Sequence, residues 1–264
     1  MVRCILQKGE INLNLITEYE NQNKWRNWER YLNKLPLNKN QIVYDLGCSI
    51  GVVSKLLSNY VQKVVGYDNN KVLLEKAIEE KNNKCEFVLE NIFNINTDEL
   101  EKCDGIWMSF ILAYVENPEE FIKNWTKCLN ENGWIAIVDI DNLFSSHLKV
   151  DNKYFEEVKA FEEASYRSKT YDFNIGSKIK DILIKNGLEV IVEENNWYDD
   201  ELNFIGSANE AIISNWKSRL DRMINLKLFL GDKYEDFANK FLAEISRNDH
   251  ISHGGVKFYI GIKK

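Results

Sequence analysis

A chain of 264 residues with 44% apolar side chains can bury a sizeable core and fits one globular domain carrying insertions. Its 41 acidic and 34 basic groups leave a net charge of −7, which repels phosphate backbones and removes the bulk electrostatic basis for nucleic-acid binding. The five cysteines (Cys4, Cys48, Cys85, Cys103, Cys128) are odd in number and lack C-x-x-C spacing, which argues against a disulfide or metal framework. Charges interrupt the opening MVRCILQKGEINLN too early for a signal peptide, and no apolar run approaches a membrane span. The expectation is a soluble, cytoplasmic protein with no nucleic-acid or membrane partner and no bound metal. Its oligomeric state is not legible in the sequence.

Residues 14–34 are expected to form a helix, with Leu15, Trp25, Trp28 and Leu32 along one face. Short apolar runs then alternate with amphipathic stretches. Strands are predicted at 41–46, 63–67, 85–89, 104–109 and 134–139, with helices at 50–60, 70–80 and 118–130 between them. Asn117, Pro118 and Glu120 give the last helix a capped start. This alternation implies an α/β fold with a mostly parallel sheet and helices on both faces. Further helices are expected at 151–168 and 175–186, and a strand at 188–193. A long insertion follows, from about 198 to 254. It opens with Ser207 and Glu210 as a capping box and carries two apolar stripes. One stripe is Ile213, Trp216, Leu220 and Met223; the other is Tyr234, Phe237, Phe241 and Ile245. Gly231 separates them. The final strand, 256–262, is expected to close the sheet antiparallel to its predecessor.

The stretch VYDLGCSIG, from Val43 to Gly51, runs an apolar strand into an acid and then a glycine turn. In an open parallel sheet, ligands bind at the carboxyl ends of strands. Gly47 and Gly51 lack the side chains that would block close approach. Asp68, at the end of VVGYD, can accept two hydrogen bonds from the vicinal hydroxyls of a ribose. A dinucleotide fingerprint would need glycine at positions 47, 49 and 52, where this chain has Gly47, Ser49 and Val52. The Gly-Lys-Ser/Thr of a phosphate-binding loop is absent.

VYDLGCSIG, Asp68, CEFVLENI, KCDGIWMSF and LNENGWIAIVDID follow one another in the order and spacing of a class I S-adenosylmethionine-dependent methyltransferase. The chain resembles that family over roughly residues 41–141. The resemblance implies a Rossmann-like, seven-stranded, mostly parallel sheet with an antiparallel last strand, and S-adenosylmethionine as cofactor. It implies one domain over 1–264. An N-terminal helical segment would cover 10–38, and the core would comprise 41–141, 175–197 and 255–264. Helical cover insertions would span 142–174 and 198–254. Asp45, Gly47, Cys48, Ser49 and Gly51 would lie by the methionine portion, Asp68 and Asn69 by the ribose, and Asn91 and Ile92 by the adenine. Met108 and Ser109 would line the cofactor after the fourth strand, and Arg26 would bind its carboxylate or serve as a solvated helix charge. Ser49 replaces the family's usual glycine, and Ala113 stands where many relatives have histidine.

Methyl transfer from a sulfonium releases a neutral leaving group, so alignment matters more than acid assistance. WMSF after the fourth strand lacks the Asn/Asp-Pro-Pro-aromatic pattern of nucleic-acid base N-methylation, and neither proline precedes a cysteine as cytosine C5 chemistry would require. The favoured acceptor is therefore a small molecule methylated on oxygen or nitrogen, under aromatic-rich insertions able to exclude water. The alternatives are a tRNA or protein methyltransferase and a non-catalytic cofactor-binding homologue. His147, Tyr114 and His253 are the nominees for a general base.

Overall fold

The computed structural model describes residues 8–264, with side chains from Leu15 onward. Cys4 lies outside the described residues. Seven strands form the sheet: β1 (Ile42–Leu46), β2 (Lys63–Asp68), β3 (Cys85–Leu89), β4 (Cys103–Ser109), β5 (Leu129–Asp141), β6 (Leu188–Trp197) and β7 (Gly255–Lys263). Their order is β3-β2-β1-β4-β5-β7-β6. β2 runs parallel to both β1 and β3, and β4 runs parallel to β5. β7 is antiparallel to both its neighbours, with Ile137 opposite Tyr259 on one side and Glu193 opposite Tyr259 on the other. The Rossmann-like sheet with an antiparallel last strand is therefore as expected.

Strand sequence explains strand position. The apolar runs of β4 and β5 are buried along most of their length, as central strands covered on both faces must be. β6 instead alternates buried and exposed residues and ends the sheet, with Glu189 and Glu193 on its exposed positions.

The chain divides into two compact units, one ending at Ile95 and one running from Asn96 to Lys264. In the first unit, the single helix expected over 14–34 is two: α1 (Lys8–Trp25) and α2 (Trp28–Leu32). Asn27 breaks them with a left-handed backbone at φ 43°, a conformation that asparagine tolerates better than most residues. α3 (Val52–Leu57) and α4 (Lys71–Glu79) follow β1 and β2. Asn70 caps α4 by accepting the N–H groups of Val72 and Leu73.

In the second unit, α5 (Pro118–Thr126) is capped by Asn117, which accepts the Glu120 N–H at 3.2 Å. It ends earlier than expected, because Leu129 and Asn130 already belong to β5. α6 (Phe155–Arg167) and α7 (Ile179–Lys185) precede β6. The 198–254 segment holds three helices rather than two: α8 (Glu210–Arg222), α9 (Ile224–Leu230) and α10 (Tyr234–Ile245). Asn209, not Ser207, caps α8 by accepting the Ile212 N–H at 2.9 Å, while Ser207 donates to the Ser246 carbonyl. Phe144, Trp216 and Phe241 pack ring to ring at 5.0–6.1 Å, so the insertion aromatics form a core of their own. Among the described residues, no helix is long and apolar enough to cross a membrane.

Candidate functional site

The first unit contains the glycine turn. Gly47, Ser49 and Gly51 all take left-handed backbones, at φ 74°, 51° and 74°. The turn is fastened to the tip of β2. The N–H groups of Gly47 and Cys48 both donate to the Tyr67 carbonyl, at 2.8 and 3.1 Å. The Ser49 N–H donates to Asp68 Oδ2 at 2.8 Å, and the Asn70 N–H to Asp68 Oδ1 at 2.7 Å. Gly51 is required by packing as well as by its φ: a Cβ there would sit 2.6 Å from Phe87 Cζ and 2.9 Å from Ala77 Cβ. Its lack of a side chain thus serves the seating of α3 and α4 against β3, where the sequence suggested clearance for a ligand.

Asp45 is buried and accepts the Ser54 hydroxyl from one turn into α3. Burial pushes its carboxyl up to about 7, with Ser54 opposing and Asp68 adding to the rise. Burial also raises the Asp68 carboxyl, against the backbone N–H groups of Asn70, Ser49 and Asn69. The Cys48 thiol is buried and driven strongly upward by desolvation and then by the two aspartates, so it stays protonated. Ser49 Oγ is buried with no hydrogen-bond partner.

Asn69 is exposed at the tip of β2. Asn91 is half-buried, and its Oδ1 already accepts the Phe93 N–H at 3.1 Å; Ile92 beside it is buried. Arg26 is only 5% exposed, which removes the reading of a solvated helix charge.

The second unit contains a different constellation. Met108 is fully buried in β4 and Ser109 half-buried at its end. Phe110 follows with φ 56° and donates its N–H to the Val138 carbonyl at 2.8 Å. A short turn, Leu112–Tyr114, comes next. The Ala113 N–H donates to Asp139 Oδ2 at 3.3 Å, and the Ala113 carbonyl accepts the Asp172 N–H at 2.8 Å. That peptide is clamped from both sides, and it sets Tyr114 edge-on against Tyr171, with ring centroids 4.7 Å apart. Tyr114 keeps 58% of its surface open, yet desolvation raises its phenol.

His147 is buried, with Nδ1 3.1 Å from His250 Nε2 and 3.2 Å from Ser252 Oγ. Burial, then the neighbouring His250 and Arg219, holds it well below the usual imidazole range. His253 is exposed and donates its backbone N–H to the Ser146 carbonyl. His253 thus lies beside the His147–His250 pair but is itself exposed, while Tyr114 and His147 share Arg219 as a charged neighbour.

Sequence reasoning missed Ser54, Asp139 and Arg219. Asp139 had a signal: an acid inside the continuous apolar run WIAIVDI of a central strand. It is fully buried, and desolvation pushes its carboxyl up to about 7. Asp141, two residues on, accepts the Ser177 N–H at 3.0 Å and lies 3.9 Å from Lys257, which fits a turn-capping role. Among the described residues, no group of three or more His, Cys, Asp or Glu side chains is arranged to hold a metal.

Residues 44–137 match the model of the methyltransferase domain family, a span that opens in β1 beside Asp45 and ends in β5. Over that span the chain is similar to methyltransferase domains. The mitochondrial ubiquinone biosynthesis O-methyltransferase of Dictyostelium discoideum is 30% identical to it over 129 residues, 43% of this chain and 39% of that protein. The chain thus matches well under half the length of this curated relative. Solved structures share the fold at low identity. A candidate methyltransferase of Bacillus halodurans superimposes with a TM-score of 0.61 at 16% identity, covering 90% of this chain and 98% of that one. A cyclopropane synthase of Mycobacterium tuberculosis gives 0.54 at 14% identity, covering 88% and 81%.

Proposed function

We propose that the protein is an S-adenosylmethionine-dependent methyltransferase that methylates oxygen or nitrogen of a small-molecule acceptor. The observation that carries this reading is the Asp45–Gly51 turn, bound through the Ser49 N–H to the Asp68 carboxylate at the end of the next strand. The residues fit the cofactor. Asp68 is a carboxylate acceptor at a strand tip, half-buried and suited to the vicinal hydroxyls of a ribose. Ser49 Oγ is an orphaned buried hydroxyl in the same turn, still lacking the hydrogen bond that a ligand can supply. Asp45, Gly47, Cys48, Gly51, Asn69, Asn91 and Ile92 complete the set in the first unit, with Arg26 as a buried cation.

When bound, the cofactor supplies an electrophilic methyl group on a sulfonium. The work left to this chain is to align, exclude water and manage a proton. Tyr114 is protonated at neutral pH, as a phenol ordinarily is, and in this reading donates a hydrogen bond that orients the acceptor. His147 stays neutral and is the better of the base nominees by charge state, though its Nδ1 is already engaged with His250 and Ser252. A small-molecule acceptor agrees with the O-methyltransferase relative and with the net charge of −7, which disfavours tRNA.

Calorimetric titration of the protein with S-adenosylhomocysteine, followed by transfer of labelled methyl groups into a metabolite extract or bulk tRNA, tests the reading. Binding with label appearing in small molecules supports it. Absence of binding overturns it, and label confined to tRNA redirects it to a macromolecular acceptor.

A further inference from the structure

Asp139 is fully buried near the end of β5, and both its oxygens face backbone donors. Oδ1 accepts the Ile140 N–H at 2.9 Å, and Oδ2 accepts the Ala113 N–H at 3.3 Å. The first bond stays within the strand. The second reaches the Leu112–Tyr114 turn that follows β4. A buried acid costs stability that an apolar residue would not, so the carboxyl is best explained by what it holds, the residue next to Tyr114.

The other side of Ala113 is held separately. Its carbonyl accepts the Asp172 N–H at 2.8 Å. The segment supplying that N–H is tied down without Asp139. The Asn142 N–H donates to the Phe173 carbonyl at 2.7 Å, and Asp172 accepts the Asn174 N–H at 2.9 Å and Lys178 Nζ at 2.6 Å. Residues 171–173 thus strap the turn after β4 to the turn after β5. Tyr171 lies on this strap with its ring centroid 4.4 Å from that of Phe173, and Tyr114 meets it edge-on at 4.7 Å. The strap is the fixed half of the clamp, and the long Asp139–Ala113 bond is the half that can change.

We propose that Asp139 is a positioning residue, whose carboxyl holds Ala113 and so fixes the Tyr114 ring against Tyr171. The function of the arrangement rests on the methyltransferase reading above, in which Tyr114 orients the acceptor. The clamp itself stands without it.

The proton state of Asp139 sets how firmly the clamp closes. Ionised, the carboxylate accepts both N–H groups. A proton on Oδ2, the oxygen with the longer bond, opposes the Ala113 N–H and loosens the turn. Burial pushes this carboxyl up to about 7, opposed by the N–H groups of Ile140 and Ala113 and assisted by Asp141. The other ionisable groups around it are Tyr114, Tyr171 and, opposite in register on β7, Lys257, whose ammonium lies 3.9 Å from Asp141.

The test is nuclear magnetic resonance of the full chain carrying ring-labelled tyrosine, with Tyr114→Phe identifying the Tyr114 signal. Between about pH 5.5 and pH 8.5 the Tyr114 ring signal and the Ala113 amide proton should shift together, with one midpoint near 7. In Asp139→Asn, which cannot ionise, both should stay at their low-pH positions throughout. A Tyr114 signal indifferent to pH in the wild type, an Ala113 shift that Tyr114 does not follow, or a Tyr114 shift that persists in Asp139→Asn would overturn the proposal. Should that variant not fold, the joint shift in the wild type decides. Neither signal needs cofactor or acceptor, so failure of S-adenosylhomocysteine to bind would sink the methyltransferase reading and leave this result standing.

Discussion

The backbone N–H of Ser49 donates to Asp68 Oδ2 at 2.8 Å, joining two strand tips that are nineteen residues apart in sequence. The bond holds the left-handed turn in place and orients the carboxylate expected to accept the ribose. Turn and carboxylate therefore act as one element, and damage to either is felt by both.

Replacing Asp68 is expected to have two consequences. Asp68→Ala removes the acceptor of the Ser49 and Asn70 N–H groups together with that of the sugar hydroxyls. Affinity for S-adenosylhomocysteine should fall at least about thirtyfold, the loss of one or two charged hydrogen bonds. Asp68→Asn, which keeps one carbonyl oxygen, should fall between. Calorimetry showing unchanged affinity in the alanine variant would remove Asp68 from the cofactor site.

Ser49 occupies a left-handed position that costs a non-glycine residue about 1–2 kcal/mol, and its hydroxyl is buried without a partner. Ser49→Gly should stabilise the protein by about 0.5–1 kcal/mol, part of the gain being offset by greater freedom of the unfolded chain. Urea unfolding of the ligand-free protein reads this directly. If S-adenosylhomocysteine affinity falls in the same variant, the hydroxyl contacts the ligand; a loss of ligand-free stability would mean the turn is not strained at this residue.

Gly51 poses the opposite case. Gly51→Ala places a methyl group 2.6 Å from Phe87 Cζ at φ 74°, and should destabilise by about 2–4 kcal/mol. Trimming the neighbour with Phe87→Leu should recover part of that loss, so the double variant should be less damaged than the sum of the singles. Strictly additive losses in urea unfolding would show that the clash is relieved elsewhere and that Phe87 is not what excludes a side chain.

Asp139 predicts a pH dependence with a definite sign. Its folded carboxyl titrates at about 7, above the ordinary value of 3.8, so the folded state keeps a proton that the unfolded chain has released. Stability contributed by this group is present below about pH 4 and is lost as the pH rises to about 7, by an amount on the order of 4 kcal/mol at most. Asp139→Asn retains an oxygen for the Ala113 N–H but cannot ionise. Its melting temperature should gain on wild type between pH 5 and pH 8. A constant difference across that range would show that the carboxyl does not titrate there.

How much of this was legible beforehand varies element by element. The glycine turn, Asp68 and the capped start of α5 could be read because each depends on residues close together in sequence: a tight turn, a strand end, a cap three residues from its donor. The two-helix N-terminus was misread because the break is made by an ordinary Asn27 rather than by glycine or proline. Asn209 displaced Ser207 as a cap through a choice of where the helix begins, which shifts by a residue or two at little cost.

What the sequence alone determined is the alternation of strands and helices and the chemistry at the strand ends, since apolar periodicity and backbone preference are local properties. Only the tertiary structure decided that Gly51 yields space to Phe87, that Asp139 is buried against the Ala113 peptide, and that His147 and Arg219 both pack against Trp216. Each joins residues far apart along the chain, and burial, not residue type, sets which side chains meet and what charge they carry.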